Sequence, residues 1–317
     1  MKILIAMGVK DHHKEQLQRN AADAELHFVP ADKVREEDIA DVDAIIGNVP
    51  TELLPAAKKL RWLQLNTAGA DIYCKDGVLK EGVLLTNATG AYGLALSEHL
   101  LAQLLAMMKK LYPYYDNQKK GIWRDEGRVT SIEDATVLIL GAGDIGRAFA
   151  RRVKALGAYV IGVRRREGAK PVGIDEMGTM ADLDSLLARA DIVVSVLPGT
   201  AATRGIFDRK RFAAMKKGAY FLNIGRGNAV VTEDLIKAMT EGRLAGAALD
   251  VTDPEPLPAD HALWHTPNVY ITPHISGDDH LSATQDKIVQ IAAHNLAAFL
   301  QGMPLENLVD RTTGYKD

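Results

Sequence analysis

The chain of 317 residues is 47% hydrophobic, enough to bury two domain cores of ordinary size, which excludes a disordered polypeptide. A net charge of −3 excludes a mainly basic nucleic-acid binder, and no uncharged apolar run approaches the roughly 18 residues of a membrane span. Cys74 is the single cysteine, so neither an intrachain disulfide nor a cysteine-rich zinc site is possible; with no signal-peptide pattern in the opening MKILIAMG, a cytoplasmic protein is expected.

Short aliphatic or β-branched runs alternate with helical stretches, the pattern of parallel βαβ units. The first series is KILIAM (residues 2–7), LHFV (26–29), DAIIG (43–47), WLQL (62–65) and VLLT (83–86). Five such strands predict a flavodoxin-like sheet. His12 and His13, in a charged segment after the first strand, read as surface residues. Residues 92–111, YGLALSEHLLAQLLAMMKKL, are apolar on nearly every side and predict a helix buried all round, between domains or at a subunit contact. A second series follows: TVLILG (136–141), AYVIGV (158–163), DIVVSVL (191–197), AYFLNIG (219–225), LAGAALDV (244–251) and NVYIT (268–272). Near-continuous apolar strands are buried on both faces, as in a doubly wound nucleotide-binding sheet. A last helix is predicted over 282–300, stopped by Gly302 and Pro304, with Asp278 or Asp279 as its cap. The fold class is thus α/β with two doubly wound parallel-sheet domains. Residues 1–98 plus 287–317 form the flavodoxin-like one, and 99–286 form a Rossmann dinucleotide-binding domain.

The stretch GAGDIG supplies Gly141, Ala142, Gly143, Asp144, Ile145 and Gly146 between an apolar strand and a helix. In that setting the glycines make the tight turn, admit a pyrophosphate to the backbone and let helix pack on strand, while the helix N-terminus faces the phosphates. A Rossmann unit that binds NAD places an acid at the end of its second strand, about 20 residues on, to bond the adenosine ribose. Here that strand ends at Val163 and is followed by Arg164, Arg165 and Arg166. Forked guanidiniums there suit a 2′-phosphate, so NADP(H) is expected over NAD(H), with Glu167 as the one acid able to reach a ribose.

Three further motifs carry chemistry. NIGRG places Arg226, DPEPLP places Glu255 and TPHISG places His274, each just beyond a strand of the second series. All three can therefore converge on the crevice at the carboxyl ends of that sheet. His274, Asp278, Asp279 and His280 lack a recognised metal-ligand spacing, so no metal is expected.

The ordered set GAGDIG, NIGRG, D-x-x-x-x-E-P-L-P and TPH-x-x-G resembles the D-isomer-specific 2-hydroxyacid dehydrogenase family over nearly the whole chain. The resemblance implies reduction of a 2-oxo acid to a D-2-hydroxy acid by an NAD(P)-dependent enzyme. It implies His274 as general acid/base, Glu255 as its partner, and Arg226 on the substrate carboxylate and carbonyl. LNTAGAD resembles the family's carboxylate loop, so Ala68 and Gly69 N–H groups would complete that site across an interdomain cleft, making the first domain the substrate domain. Tyr92 and Trp264 resemble positions near the substrate side chain. Leu197, Pro198, Thr203, Ile224, Gly225, Asp250, Ser276 and Gly277, with Arg226 and His274, would line the cofactor. The family also implies a homodimer without nucleic-acid or membrane partners. Two alternatives remain: a glyoxylate/hydroxypyruvate reductase using NADH or NADPH, and a non-catalytic, dinucleotide-sensing protein akin to the corepressors of this fold. The few cations around LNTAGAD and NATGAYG, and the lack of an added C-terminal regulatory domain, argue against phosphoglycerate. The lack of a long disordered tail argues against the corepressor role.

Overall fold

The computed structural model describes residues 1–164, 169–277, 280–312 and 315–316. They divide into two compact units, Met1–Tyr92 with Asp279–Asp317, and Gly93–Asp278. The divisions fall at the starts of the helices expected over 92–111 and 282–300 rather than inside them. A helix packs as one rigid body, so it stays whole on one side.

The first part of the chain contains β1 (Lys2–Ile5), α1 (Asp11–Asn20), β2 (Glu25–Phe28), α2 (Glu36–Ile39), β3 (Ala44–Ile46), β4 (Trp62–Gln64) and β5 (Leu84–Thr86). These strands form a five-stranded sheet of order β2-β1-β3-β4-β5, all parallel, as a flavodoxin-like sheet requires. Its central strands are buried on both faces, which is why Ile3, Leu4, Ile5, Ala44, Ile45 and Ile46 can all be apolar.

The middle of the chain contains α3 (Gly93–Met108), α4 (Leu111–Lys119), β6 (Thr136–Leu140), α5 (Asp144–Ala155), β7 (Tyr159–Val163), β8 (Glu176–Gly178), α6 (Leu183–Leu187), β9 (Ile192–Ser195), α7 (Arg209–Ala214), β10 (Ala219–Asn223), α8 (Thr232–Thr240), β11 (Leu244–Leu249) and β12 (Val269–Ile271). They build a seven-stranded parallel sheet of order β12-β11-β10-β9-β6-β7-β8. The strand order reverses between β6 and β9, the switch point at which doubly wound sheets open a crevice. In the core of this unit Phe221 meets both Phe207 and Phe212 edge to face, the Phe212 and Phe221 rings standing at 90°. Six strands are expected from the sequence and a seventh, β8, is present. Its three residues, Glu-Met-Gly, are half-buried at the sheet edge and too few to carry a hydrophobic period. The helix expected over 92–111 stops at Met108, where Lys110 turns left-handed at φ 55° and α4 begins. It is also not buried all round: Glu98 and Ala102 are exposed.

The chain closes with α9 (Ser282–Leu300), β13 (Val309–Asp310) and β14 (Tyr315–Lys316). The α9 N-cap is Leu281, so neither Asp278 nor Asp279 occupies that position; both lie outside the described residues. His13 is not a surface residue. Its side chain is only 1% exposed, because Nδ1 accepts the Lys10 N–H in a capping box and Nε2 meets Asp286 on α9 at 2.8 Å. The His13 imidazole, with exposed His12 beside it, holds the Asp286 carboxyl below the usual range. His12, His13 and Asp286 are the one potential metal-ligand group among the described residues. The proton count opposes a metal: with Nδ1 accepting from the backbone, neutral His13 carries its proton on Nε2 and leaves no lone pair there. No described helix is long and apolar enough to cross a membrane.

Candidate active site

Because every strand of the seven-stranded sheet is parallel, the loops after β6, β7, β9, β10, β11 and β12 leave one edge of it. The first is the glycine turn. Gly141 adopts φ 101°, and a Cβ there would lie 2.7 Å from the Val196 carbonyl oxygen. Gly146 lets α5 press on the turn, its Cβ position being 2.2 Å from the Gly141 oxygen. A Cβ at Gly143 meets no protein atom within 4 Å, so the unpaired N–H groups at the N-terminus of α5 face open space. That cradle fits a dinucleotide pyrophosphate. Ala142 is buried and Ile145 half-buried behind it, and the buried Oδ2 of Asp144 has no hydrogen-bond partner among the described residues.

Arg164 stands one residue beyond β7, half-buried, with Nη2 donating to the Ala169 carbonyl at 3.1 Å. Arg165, Arg166 and Glu167 lie outside the described residues. In the β9 loop Leu197 is buried, and the Thr203 hydroxyl donates to the Pro198 carbonyl at 2.6 Å while accepting the Thr200 N–H at 2.9 Å. Thr203 thus shapes the loop that presents Pro198.

After β10, the Asn223 side chain bridges the turn, accepting from the Gly225 N–H at 3.1 Å and donating to the Arg226 carbonyl at 2.9 Å. Ile224 is buried. Glycine at 225 lets this loop lie on that of β9, since a Cβ would sit 2.3 Å from the Leu197 oxygen. Gly227 is tighter still: its Cβ position is 1.8 Å from the Thr252 oxygen, which brings the Arg226 loop and the Glu255 loop into backbone contact. Arg226 is extended and half-buried, with Nη1 donating to the Gly225 carbonyl at 2.8 Å.

His274 and Glu255, 19 residues apart, are brought together, Nδ1 to Oε1 at 2.5 Å. The pair is accessible, with side-chain exposures of 47% and 40%. A carboxylate can only accept, so Nδ1 carries the proton and Nε2 is left to exchange one with a ligand. His274 itself adopts φ 52°, and Asp250 pins the surrounding loop. The buried Asp250 carboxylate accepts the Thr272 hydroxyl at 2.6 Å, the Ile275 N–H at 3.1 Å, the Ser276 N–H at 3.1 Å and the Ser276 hydroxyl at 2.5 Å. Gly277 ends the described part of that loop, half-buried. Thr272 also lies 3.3 Å from Nε2 of His99 on α3, a half-buried imidazole that burial pushes below its usual range against the opposing pull of Asp250. Trp264 is 43% exposed in a short turn, its Nε1 donating to the Pro258 carbonyl at 2.8 Å.

The first unit carries its own cluster of polar groups at the carboxyl ends of β3, β4 and β5. Asn48 and Asn66 exchange backbone-to-side-chain bonds of 2.8 and 3.1 Å, Asn87 donates to the Ala68 carbonyl at 2.8 Å, and the Tyr92 hydroxyl donates to the Asn66 carbonyl at 2.5 Å. The loop so braced leaves the Ala68 and Gly69 N–H groups without a protein acceptor among the described residues. Tyr92 is buried and acts through its hydroxyl on that loop. The sequence reading passed over Asn48, Asn66 and Asn87. An asparagine shortly after three successive strands is the signal that marks them.

Residues 101–276 match the family described as D-isomer specific 2-hydroxyacid dehydrogenase, NAD binding domain. A glyoxylate/hydroxypyruvate reductase B of Pectobacterium atrosepticum is 32% identical over 319 residues, 97% of this chain and 97% of that protein. Among solved structures, a D-isomer specific 2-hydroxyacid dehydrogenase family protein from Aeromonas salmonicida is 33% identical with TM-score 0.86, covering 98% of this chain and 99% of that one. An NADPH-dependent glyoxylate/hydroxypyruvate reductase from Sinorhizobium meliloti, in complex with NADP and sulfate, is 30% identical with TM-score 0.83, covering 99% of each.

Proposed function

Since the chain belongs to the D-isomer-specific 2-hydroxyacid dehydrogenase family, and is an oxidoreductase, we propose that it reduces small 2-oxo acids, glyoxylate and hydroxypyruvate first among them, with NADPH. The observation that carries this reading is the His274–Glu255 pair, set one loop away from Arg226 at the edge of a nucleotide-binding sheet. His274 gives the proton at Nε2 to the carbonyl oxygen, and Glu255 accepts Nδ1–H and so fixes the tautomer and orientation of the ring. Arg226 receives the carboxylate and polarises the carbonyl with a permanently charged fork. Within the first unit, the Ala68 and Gly69 N–H groups are donors of the kind that suits a carboxylate. When bound, the dinucleotide supplies the hydride that adds to the carbonyl carbon. The turn 141–146 takes its pyrophosphate, with Pro198, Ile224, Asp250, Ser276 and Gly277 beside the nicotinamide end.

The preference for NADPH rests on the basic residue where a ribose-binding acid is expected, together with the NADP complex of the Sinorhizobium relative. The proposed assembly is a homodimer, supported by the exposed apolar side chains that recur on and after α4, namely Leu111, Tyr115, Ile122, Trp123 and Val129. A single half-buried thiol fits a cytoplasmic setting. Steady-state NADPH oxidation with glyoxylate, hydroxypyruvate, pyruvate and branched or aromatic 2-oxo acids tests the proposal. Turnover with glyoxylate and hydroxypyruvate is expected, and tight NADPH binding without turnover of any acid refutes it.

A further inference from the structure

We propose that Thr272 and His99 are positioning residues for His274, acting through Asp250 as a directed relay from α3 to the loop that carries the imidazole. The proton positions fix its direction. The Thr272 hydroxyl has one proton, and at 2.6 Å from Asp250 Oδ1 it must give that proton to the carboxylate, which has none to offer. Toward His99 it then only accepts, so Nε2 of His99, 3.3 Å away, carries the hydrogen. The chain of donors runs His99 to Thr272 to Asp250.

What this relay holds is a backbone that would not hold itself. His274 sits at φ 52°, a left-handed conformation strained for a residue with a side chain. Five hydrogen bonds that end on Asp250 help to keep it there: four on the carboxylate, from Thr272, Ile275 and Ser276, and one from the His274 N–H, which the Asp250 carbonyl at 2.8 Å shares with the Thr272 carbonyl at 3.0 Å. The loop is thereby anchored on both sides of His274, while Glu255 bonds only the ring itself, at Nδ1. Thr272 is the member that ties this anchor to a helix. Burial supports the assignment by keeping His99 neutral, so that its single ring proton stays on the nitrogen that faces the hydroxyl.

The inference rests on the reading of His274 as the proton donor, and the test separates the two. In the full-length enzyme Thr272→Val removes both bonds at nearly constant volume, and Thr272→Ser keeps the hydroxyl. Loss of an interaction felt only in the transition state lowers kcat without raising KM, so Thr272→Val is expected to cut kcat about tenfold with NADPH Kd and 2-oxo-acid KM within about threefold. Thr272→Ser should recover most of that loss. His99→Leu should lower kcat by about threefold, and the double variant His99→Leu/Thr272→Val should be no worse than Thr272→Val alone, since members of one network do not add. In protein labelled with 13C-histidine, the signal lost on His274→Ala should broaden or split in Thr272→Val, a readout that needs no turnover. Wild-type turnover with an equally active Thr272→Val variant, equal losses for Val and Ser, or losses that multiply in the double variant would overturn the relay alone. A wild-type enzyme that reduces no 2-oxo acid overturns the functional reading and the relay with it.

Discussion

Replacing Gly143 with alanine separates what the fold requires of the glycine turn from what a cofactor requires. The added methyl meets no protein atom within 4 Å, and the backbone is extended at φ −84° and ψ −151°, so the fold accepts it. Stability should hold or rise by about 0.4–1 kcal/mol, because alanine restricts the unfolded chain. Gly146→Ala is the contrast. Its methyl would lie 2.2 Å from the Gly141 oxygen, and the backbone shift needed to relieve that overlap costs about 1–3 kcal/mol. A pyrophosphate oxygen bonded to the N–H groups at this turn lies about 2.9 Å from nitrogen, whereas a methyl needs about 3.5 Å or more of clearance. The ligand must retreat by about half an ångström or lose a bond of about 1.5–3 kcal/mol, so NADPH should weaken between tenfold and a hundredfold, each tenfold being about 1.4 kcal/mol. Thermal unfolding without dinucleotide and fluorescence titration with NADPH measure the two effects separately. A Gly143→Ala protein that binds NADPH with unchanged Kd, or that unfolds as early as Gly146→Ala, would refute the reasoning.

His274→Ala should remove most of kcat, about a hundredfold or more, with NADPH affinity nearly intact, whereas Glu255→Gln, which keeps a hydrogen-bond acceptor but not the charge, should lose less; rapid-mix and steady-state rates with glyoxylate check both. Replacing Arg164 and Arg165 together by alanine should raise Kd for NADPH by about tenfold or more and leave that for NADH within about twofold, and equal losses would remove them from 2′-phosphate recognition. Trp123→Glu should shift the chain from dimer to monomer in sedimentation velocity, and an unchanged dimer would move the contact elsewhere. Burial lowers the His99 pKa from 6.5, so protonation favours the unfolded chain, and stability present above that value is lost as pH falls from it toward the folded pKa. His99→Gln should therefore lose less stability than wild type over about pH 7 to 5 in denaturant titrations.

The two sheets were legible because their central strands are buried on both faces and so nearly all apolar; the series of five and the first five strands coincide within a residue or two. β8 was not, since an edge strand of Glu-Met-Gly needs no apolar run. His274 and Glu255 could be named from motifs, and their 2.5 Å pairing follows from the neighbouring strands that carry them. His13 defeated the reading because a charged neighbourhood hides a buried imidazole until α9 supplies Asp286. His99 and Thr272 defeated it for a related reason. One lies in a stretch that reads only as an apolar helix and the other in the last letters of a strand, and nothing in the sequence places the two 3.3 Å apart.

The strands β10, β11 and β12 are adjacent and parallel, and Arg226, Glu255 and His274 follow them in that order. The strands that lead into the outer two loops are therefore separated by two interstrand steps of about 4.8 Å each. Such a lattice cannot be widened by mutation of the loops, because backbone hydrogen bonds set the step. Any change in the size of ligand this scaffold accepts must act on what stands above the sheet, leaving the spacing of the strands that lead to Arg226 and His274 as a fixed gauge.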